Sequence, residues 1–502
     1  MTNKNNNIVN LPNLNPFFEN GNLISKKYKD IYFSNLNGFE ESIFVFFKSI
    51  NLEHHLEKNE NIVIAETGFG TGLNLLSLMY LKNKINTKSC VQYISFENYP
   101  LEEKIVERAH NKFKNLSTFS NLLISKWPKR WPGIHNFDFE NLNIKVQICY
   151  GDIEKTIEKC SFNADFWFLD GFSPSKNTKM WSDIVFKNIA RLSSNNSKLA
   201  TFTSSRKIYD YLQKNGFEVI KKKGFHNKRE MITASLKKNN FSLNKNYNKI
   251  IIVGGGIAGA SVAHQLSKDK IDHYLIERND IASGASGNLA GIVSPFLTVN
   301  DTLSSRLSVS CLSQTRNILE KENLIISEGV INLDFPERLR VRNIKLSKID
   351  FPNDLGEYFD SKKVNSISGI KCDYGGFFFK TGCLINPKKY CELLLKQSLV
   401  KKFSNVLKIR GRDGDWEITD NNGKKYFGDY IVLCSGPEIV NLLKELKIKI
   451  NELQRTAGQI TYLEGRNIFD NLRVSLNYGG YITTQIDGKN ILGASFDHNL
   501  DK

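Results

Sequence analysis

Ile62-Val63-Ile64-Ala65 runs into Glu66-Thr67-Gly68-Phe69-Gly70-Thr71-Gly72, and Ile250-Ile251-Ile252-Val253 runs into Gly254-Gly255-Gly256-Ile257-Ala258-Gly259. In both places an apolar run of strand length meets glycines and then a helical stretch, Leu73 to Leu81 in the first and Ala260 to Leu266 in the second. Glycines at a strand-to-helix turn let the backbone approach a nucleotide closely, and the helix start offers free N–H groups. A chain of 502 residues is too long for one ordinary core, so two such elements imply two α/β domains.

A lone GxGxG is a weak signal; the acids that follow it strengthen the reading. Val91 to Phe96 is strand-like and ends in Glu97, where a carboxylate can accept ribose hydroxyls. Ile144 to Tyr150 ends in Gly151-Asp152, placed for an adenine amino group, and Asp165 to Leu169 leads into Asp170-Gly171-Phe172. Acidic or glycine-rich ends on four successive strands describe a nucleoside-binding α/β sheet. Glu66, Gly68, Gly70, Gly72, Glu97 and Asp152 are therefore the first cofactor set. In the second loop Gly254, Gly256 and Gly259 are in dinucleotide register, and Glu277 lies eighteen residues past Gly259 behind the strand-like Tyr274-Leu275-Ile276. The small-residue loop that follows, Ser283 to Gly291, brings Ser286, Gly287 and Asn288 to the same cofactor.

Composition sets the class. Hydrophobic residues at 40% and charged residues at 24% are ordinary globular values. No apolar run approaches the ~18 residues of a membrane span, and the polar start shows no signal peptide. The eight cysteines carry no CxxC pair, which argues against a disulfide frame or a metal site and for reduced thiols in the cytoplasm. A net charge of +17 favours a polyanionic partner, although a Lys-, Asn- and Ile-rich chain also drifts basic, and Lys221-Lys222-Lys223 reads as a solvated face.

Longer segments carry a resemblance. ETGFGTGLNLL (Glu66 to Leu76), DIYFS with GFEES (Asp30 to Ser42), LDGFSPSKNTKMWS (Leu169 to Ser182), and TFTSS with KGFHNKREM (Thr201 to Met231) resemble the methyltransferase half of the MnmC family of bacterial tRNA wobble-uridine enzymes. The GASGN loop, Tyr430 to Pro437, Gly458-Gln459-Ile460 and Tyr478-Gly479-Gly480-Tyr481 resemble FAD enzymes of the D-amino-acid-oxidase class, including that family's oxidoreductase half. The resemblance implies a class I Rossmann-like methyltransferase domain at 1–236, a linker at 237–249, and an FAD-binding Rossmann-like α/β domain with an antiparallel substrate sheet at 250–502. It implies S-adenosylmethionine and FAD as cofactors and tRNA as partner, with no metal and no membrane; the expected state is a monomer.

The reaction it implies has two steps. The FAD half removes the carboxymethyl group of 5-carboxymethylaminomethyl-2-thiouridine, and the first half methylates the resulting 5-aminomethyl group. A free alkylamine has a pKa near ~10.4, so its neutral form at pH 7 costs roughly 4.6 kcal/mol. Asp170 is the residue expected to orient that amine by hydrogen bond. Phe172, Trp181 and Phe69 offer aromatic faces to a base or sulfonium, with core packing as the other reading of each. Lys176, Lys228 and Arg229 are candidates for phosphate contact, with plain surface as the other reading.

The resemblance also implies a further segment beyond Gly493 to His498 that would return to the FAD domain, so the oxidoreductase half is expected to be truncated. Two other functions fit the loops: a methyltransferase with a non-catalytic flavin domain, and a fused enzyme acting on small amino acids.

Overall fold

The computed structural model describes residues 11–34, 37–237, 249–300, 302–412, 414–450, 453, 456–465, 467–493 and 495. The linker expected at 237–249 lies almost wholly outside the described residues. The chain forms two compact units, Met1–Ser242 with Asn300–Gln314, and Leu243–Val299 with Thr315–Lys502.

The first unit is built on an eight-stranded sheet. After the short helix α1 (Gly38–Ser42), the glycine loop joins β1 (Ile62–Glu66) to α2 (Leu73–Ile85). The other strands are β2 (Val91–Glu97), β3 (Gly133–Phe139), β4 (Ile144–Tyr150), β5 (Ala164–Phe168), β6 (Ser193–Thr201), β7 (Glu218–Lys223) and β8 (Glu230–Leu236). Their order is β7-β8-β6-β5-β1-β2-β4-β3. The central β6-β5-β1-β2-β4 block is parallel. β3, β7 and β8 are added antiparallel at the edges.

Successive side chains on a strand point to opposite faces, and here both faces are covered. Ile64, Phe166 and Phe168 enter one core with Leu75, Leu76 and Met79 of α2. Ala65, Trp167 and Leu169 enter the other with Val185 and Ile189. That double burial is why β1 and β5 read as nearly continuous apolar runs. The strand order reverses at β1, whose neighbours are β5 on one side and β2 on the other, so a crevice opens at the carboxyl ends of these strands.

In the second unit, β9 (Ile250–Val253), β10 (His273–Ile276), β11 (Leu399–Lys401) and β12 (Tyr430–Leu433) form a parallel sheet in the order β11-β10-β9-β12. The helix α3 (Ile257–Lys268) follows the glycine loop. A larger, mostly antiparallel sheet is threaded into the same unit. It runs Gly291–Val293, Gly376–Ile385, Ser327–Leu333, Ser475–Asn477, Tyr481–Ile482, Lys489–Gly493 and Thr461–Glu464, with Glu357–Phe359 beside Gly376–Ile385. The expected α/β architecture with an antiparallel substrate sheet is therefore present. Tyr478-Gly479-Gly480 forms the turn between two of its strands.

Candidate active sites

At the reversal point of the first sheet lies a cleft of ≈ 380 Å³. Gly68, Gly70, Glu97, Asp152, Asp170 and Phe172 all line it. Four strands deliver these residues: the glycine loop follows β1, Glu97 ends β2, and Asp152 and Asp170 follow β4 and β5. Gly70 has φ +54°, which favours glycine, and a Cβ on Gly68 would press on the Asp170 carbonyl oxygen at 3.0 Å.

Glu97 is held by the loop it serves. Its Oε2 accepts the Gly70 N–H at 2.8 Å and its Oε1 accepts the Tyr99 N–H at 2.7 Å. Burial raises its pKa, and those amides pull it back. Asp152 caps the next helical turn, accepting the Glu154 N–H at 3.2 Å, with Lys179 Nζ 3.7 Å from its other oxygen.

Beneath the cleft is a buried polar layer. Asp170 Oδ1 accepts the Gly171 N–H at 2.8 Å and Oδ2 accepts Asn74 Nδ2 at 2.8 Å. Asn74 Nδ2 also donates to Glu66 Oε1 at 2.8 Å, and Asn74 Oδ1 accepts Ser42 Oγ at 2.6 Å. The other Glu66 oxygen accepts Ser95 Oγ at 2.7 Å. Asn74 thus uses both amide hydrogens and its oxygen, so one orientation satisfies every partner. Burial pushes Asp170 up to about 6, against the pull of the Gly171 and Asn74 donors. Burial pushes Glu66 up to about 8, with the Asp170 charge adding to the rise. At pH 7 Asp170 is mostly ionised and Glu66 mostly protonated. One carboxylate here can meet a substrate, while the other is a neutral support.

The remaining expected residues divide. Glu66 and Gly72 do not line the cleft: Glu66 is 1% exposed below it, and Gly72, at φ +75°, caps α2. Trp181 is also core, 2% exposed, with its indole N–H donated to the Phe172 carbonyl at 2.9 Å. Phe69 lines the cleft while packing on Trp127. Lys176 is tied to the Lys29 carbonyl at 2.8 Å and to Asp30 at 3.2 Å. Lys228 lines the cleft and pairs with Glu41 at 2.7 Å, whereas Arg229 is exposed.

Several residues were given no role by sequence. Tyr28 packs on Phe172 at 4.9 Å and edge-on to Tyr99 at 5.9 Å, and Tyr32 meets Phe172 at 5.1 Å. Lys27 Nζ lies 4.6 Å from the Tyr99 ring centre. Tyr28, Tyr32, Tyr99 and Phe172 form an aromatic wall on the same cleft. Of the residues without a role by sequence, Tyr32 falls in a resembling segment, DIYFS, and Asn74 in another, ETGFGTGLNLL; no local pattern announces Tyr28 or Tyr99.

In the second unit the glycines are defined by close approach. A Cβ on Gly254 (φ +112°) would lie 2.4 Å from the Cys434 carbonyl oxygen. One on Gly259 would lie 1.9 Å from the Gly254 oxygen. Glu277 Oε2 accepts the Gly255 N–H at 2.6 Å and Oε1 accepts the Asn279 N–H at 2.8 Å. Ser286, in the turn Ala285–Gly287, accepts the Ile257 N–H at 3.0 Å, and a Cβ on Gly256 would lie 3.2 Å from its oxygen. Gly287 lies against the Ala282 carbonyl, and Asn288 directly follows the turn. The loop thus reaches the start of α3, where backbone N–H groups suit a diphosphate. A tight glycine turn, a carboxylate at the end of the second strand and a hydroxyl at the helix start fit a dinucleotide such as FAD.

Comparison with known proteins matches a family to each half of the chain. Residues 114–237 match the family described as S-adenosyl-L-methionine-dependent methyltransferase. Residues 249–502 match the family described as FAD dependent oxidoreductase. The protein is therefore a two-headed enzyme, an S-adenosylmethionine-dependent methyltransferase joined to an FAD-dependent oxidoreductase. It is 30% identical to the tRNA 5-methylaminomethyl-2-thiouridine biosynthesis bifunctional protein MnmC of Ectopseudomonas mendocina, over 96% of this chain and 76% of that one. It is 28% identical to the protein of the same name from Methylobacillus flagellatus, over 95% and 74% of the two chains. The crystal structure of MNMC2 from Aquifex aeolicus matches 45% of this chain and 69% of that one, with 25% identity and a TM-score of 0.37. The chain belongs to the MnmC family, as its quoted segments led one to expect. Among the described residues no helix is long and apolar enough to cross a membrane, and no cluster of three His, Cys, Asp or Glu could hold a metal ion.

Proposed function

We propose that the protein acts on the wobble uridine of tRNA in two steps. The second unit oxidatively removes the carboxymethyl group of 5-carboxymethylaminomethyl-2-thiouridine, and the first unit N-methylates the 5-aminomethyl product. The observation that carries this reading is the meeting of Glu97, Asp152 and Asp170 in one cleft beside the glycine loop and an aromatic wall. When bound, S-adenosylmethionine supplies an electrophilic methyl group and FAD supplies a hydride acceptor.

In the first unit Glu97 holds the ribose hydroxyls and Asp152 the adenine amino group. Asp170 accepts a hydrogen bond from the acceptor amine and aims its lone pair. Ionised above about pH 6, it can do so at neutral pH. Tyr28 and Phe172 present faces on which an extruded base can stack. In the second unit Glu277 holds the adenosine ribose of FAD, and Ser286, Gly287 and Asn288 close on its diphosphate. Arg229 and the basic surface steer the RNA backbone.

The test is mass spectrometry of wobble nucleosides. Two tRNA substrates, one carrying the carboxymethylaminomethyl group and one the aminomethyl group, are incubated with the protein, FAD and S-adenosylmethionine. Conversion of both to the methylaminomethyl nucleoside is expected. Methylation of the second alone would restrict the function to the first unit, and methylation of neither would overturn the reading.

A further inference from the structure

Glu41 and Lys228 are unusual neighbours for Asp170. Glu41 sits on α1, whose first turn is capped by Asn37 accepting the Glu40 N–H at 3.1 Å. Its side chain is 13% exposed and lines the cleft. Lys228 Nζ donates to Glu41 Oε1 at 2.7 Å and lies 4.9 Å from the centre of the Phe202 ring, which lines the cleft too. A carboxylate and an aromatic face around one ammonium form a cation seat.

The occupant is informative. A lysine side chain ends in a primary alkylammonium, the same group that a 5-aminomethyl pyrimidine presents in its resting, protonated form. We propose that Glu41 and Phe202 form the seat for the acceptor's ammonium group, and that Lys228 Nζ fills this seat until the acceptor displaces it. This rests on the methyl-transfer reading given above and extends it to how the amine is captured.

The two partners differ in the way an exchange requires. Glu41 is largely buried and held on a capped helix, so the seat stays in place. Lys228 is 48% exposed, on the segment between β7 and β8, and its long stem can move out to solvent as the incoming ammonium takes its place. One ammonium replaces another, so Glu41 never stands buried and unpaired, the state that makes broken ion pairs expensive. Asp170 also senses both groups, Glu41 raising its pKa and Lys228 lowering it. An arriving ammonium therefore takes over the part Lys228 plays in keeping Asp170 ionised. A neutral or uncharged 5-substituent gains nothing from the seat, so the site selects amines.

The test compares wild type, E41Q, E41D and K228Q in steady-state methylation of aminomethyl tRNA at saturating S-adenosylmethionine. Calorimetric S-adenosylmethionine binding serves as the measure of folding. E41Q is expected to raise KM at least about tenfold, as loss of a charged hydrogen bond does, with a smaller change in kcat and with partial rescue by E41D. K228Q is expected to lower KM about two- to fivefold, because the competitor for the seat is gone. Butylammonium is expected to compete with tRNA on wild type and not on E41Q. An unchanged KM in E41Q, or a raised KM in K228Q, overturns the proposal while leaving methyl transfer standing. A wild-type protein that fails to methylate the tRNA removes both. Should E41Q lose S-adenosylmethionine binding, the K228Q arm decides alone.

Discussion

The two glycine loops use the same lock and differ in what lies underneath. In each, the carboxylate ending the second strand accepts one N–H from the loop and one from the residue two positions further on. The pairs are Glu97 with Gly70 and Tyr99, and Glu277 with Gly255 and Asn279. Each carboxylate is thus fixed by backbone donors before any ligand arrives, which lowers the ordering cost of binding. Under the first loop lies the Ser42–Asn74–Glu66–Asp170 layer, side chains linked by hydrogen bonds in which burial raises the pKa of both carboxyls. Under the second loop lies backbone: Gly254 against Cys434, and Gly259 against Gly254. The first site holds two carboxyls of raised pKa side by side. The second is a tight cradle for a cofactor that carries its own chemistry.

The largest effect should come from destroying the cradle. A Cβ on Gly259 has 1.9 Å to the Gly254 oxygen, and neither partner is a flexible side-chain end. Gly259→Val is expected to abolish bound flavin, read as loss of the absorbance of the purified protein near the visible flavin band. Methylation of aminomethyl tRNA by the same preparation should stay within about twofold, because the first unit has its own core. Flavin retained at full stoichiometry would break the comparison.

Next comes the chemical group of the first site. Asp170→Asn should cut methyl transfer on the order of 100-fold, the scale on which a misplaced reacting group is felt. The wild-type rate should rise with pH through about 6 as Asp170 ionises. Stability must move the other way. A carboxyl raised from 3.8 to about 6 holds its proton more tightly folded than unfolded, so its contribution is full below 3.8 and lost as pH rises through about 6. The Asn variant lacks that loss, so its stability relative to wild type should gain on the order of 1–3 kcal/mol between pH 3.8 and above pH 6 in thermal unfolding, on top of a pH-independent cost from its amide N–H facing the Gly171 or Asn74 donor. A rate that falls without the stability gain would mean Asp170 is not the strained group.

Smaller and symmetric is the same substitution made at both locks. In Glu97→Gln and Glu277→Gln, an amide N–H faces a backbone N–H that previously met a carboxylate oxygen. Each should weaken only its own cofactor, S-adenosylmethionine or FAD, by about tenfold or more in calorimetric titration. A variant that weakened neither would show that the lock is merely structural in that loop.

How much of this was legible beforehand follows from the same contrast. Features written within one segment could be read: both glycine loops, the acids closing strands β2, β4 and β10, and the small-residue loop at Ser286. The apolar runs of β1 and β5 could be read too, because two buried faces remove the alternation that would otherwise hide a parallel strand. Features assembled from distant segments could not. Asn74 falls within the quoted ETGFGTGLNLL stretch, yet nothing in its spelling says that Ser42 and Asp170 will meet it. Trp181, an attractive aromatic by sequence, became core because its indole N–H found the Phe172 carbonyl. Lys228 reaches across to Glu41, a pairing between residues 187 positions apart.

The finest effect concerns Asn74 itself, which can either position Asp170 or tune it. Its Nδ2 hydrogen bond lowers the Asp170 pKa against burial. Asn74→Ala removes that donor and leaves the Gly171 N–H, so the midpoint of the rate profile should move up from about 6. Near pH 6.5 the variant would then run roughly tenfold slower, and near pH 8.5, where the carboxyl is ionised in both proteins, only about threefold slower. A uniform loss at every pH would instead mean that Asn74 only holds Asp170 at the right angle. The ratio of the two losses therefore separates tuning from positioning. Since Glu66 is already mostly protonated at neutral pH, Glu66→Gln should leave that ratio near the wild-type value, which isolates the effect to the single bond between Asn74 and Asp170.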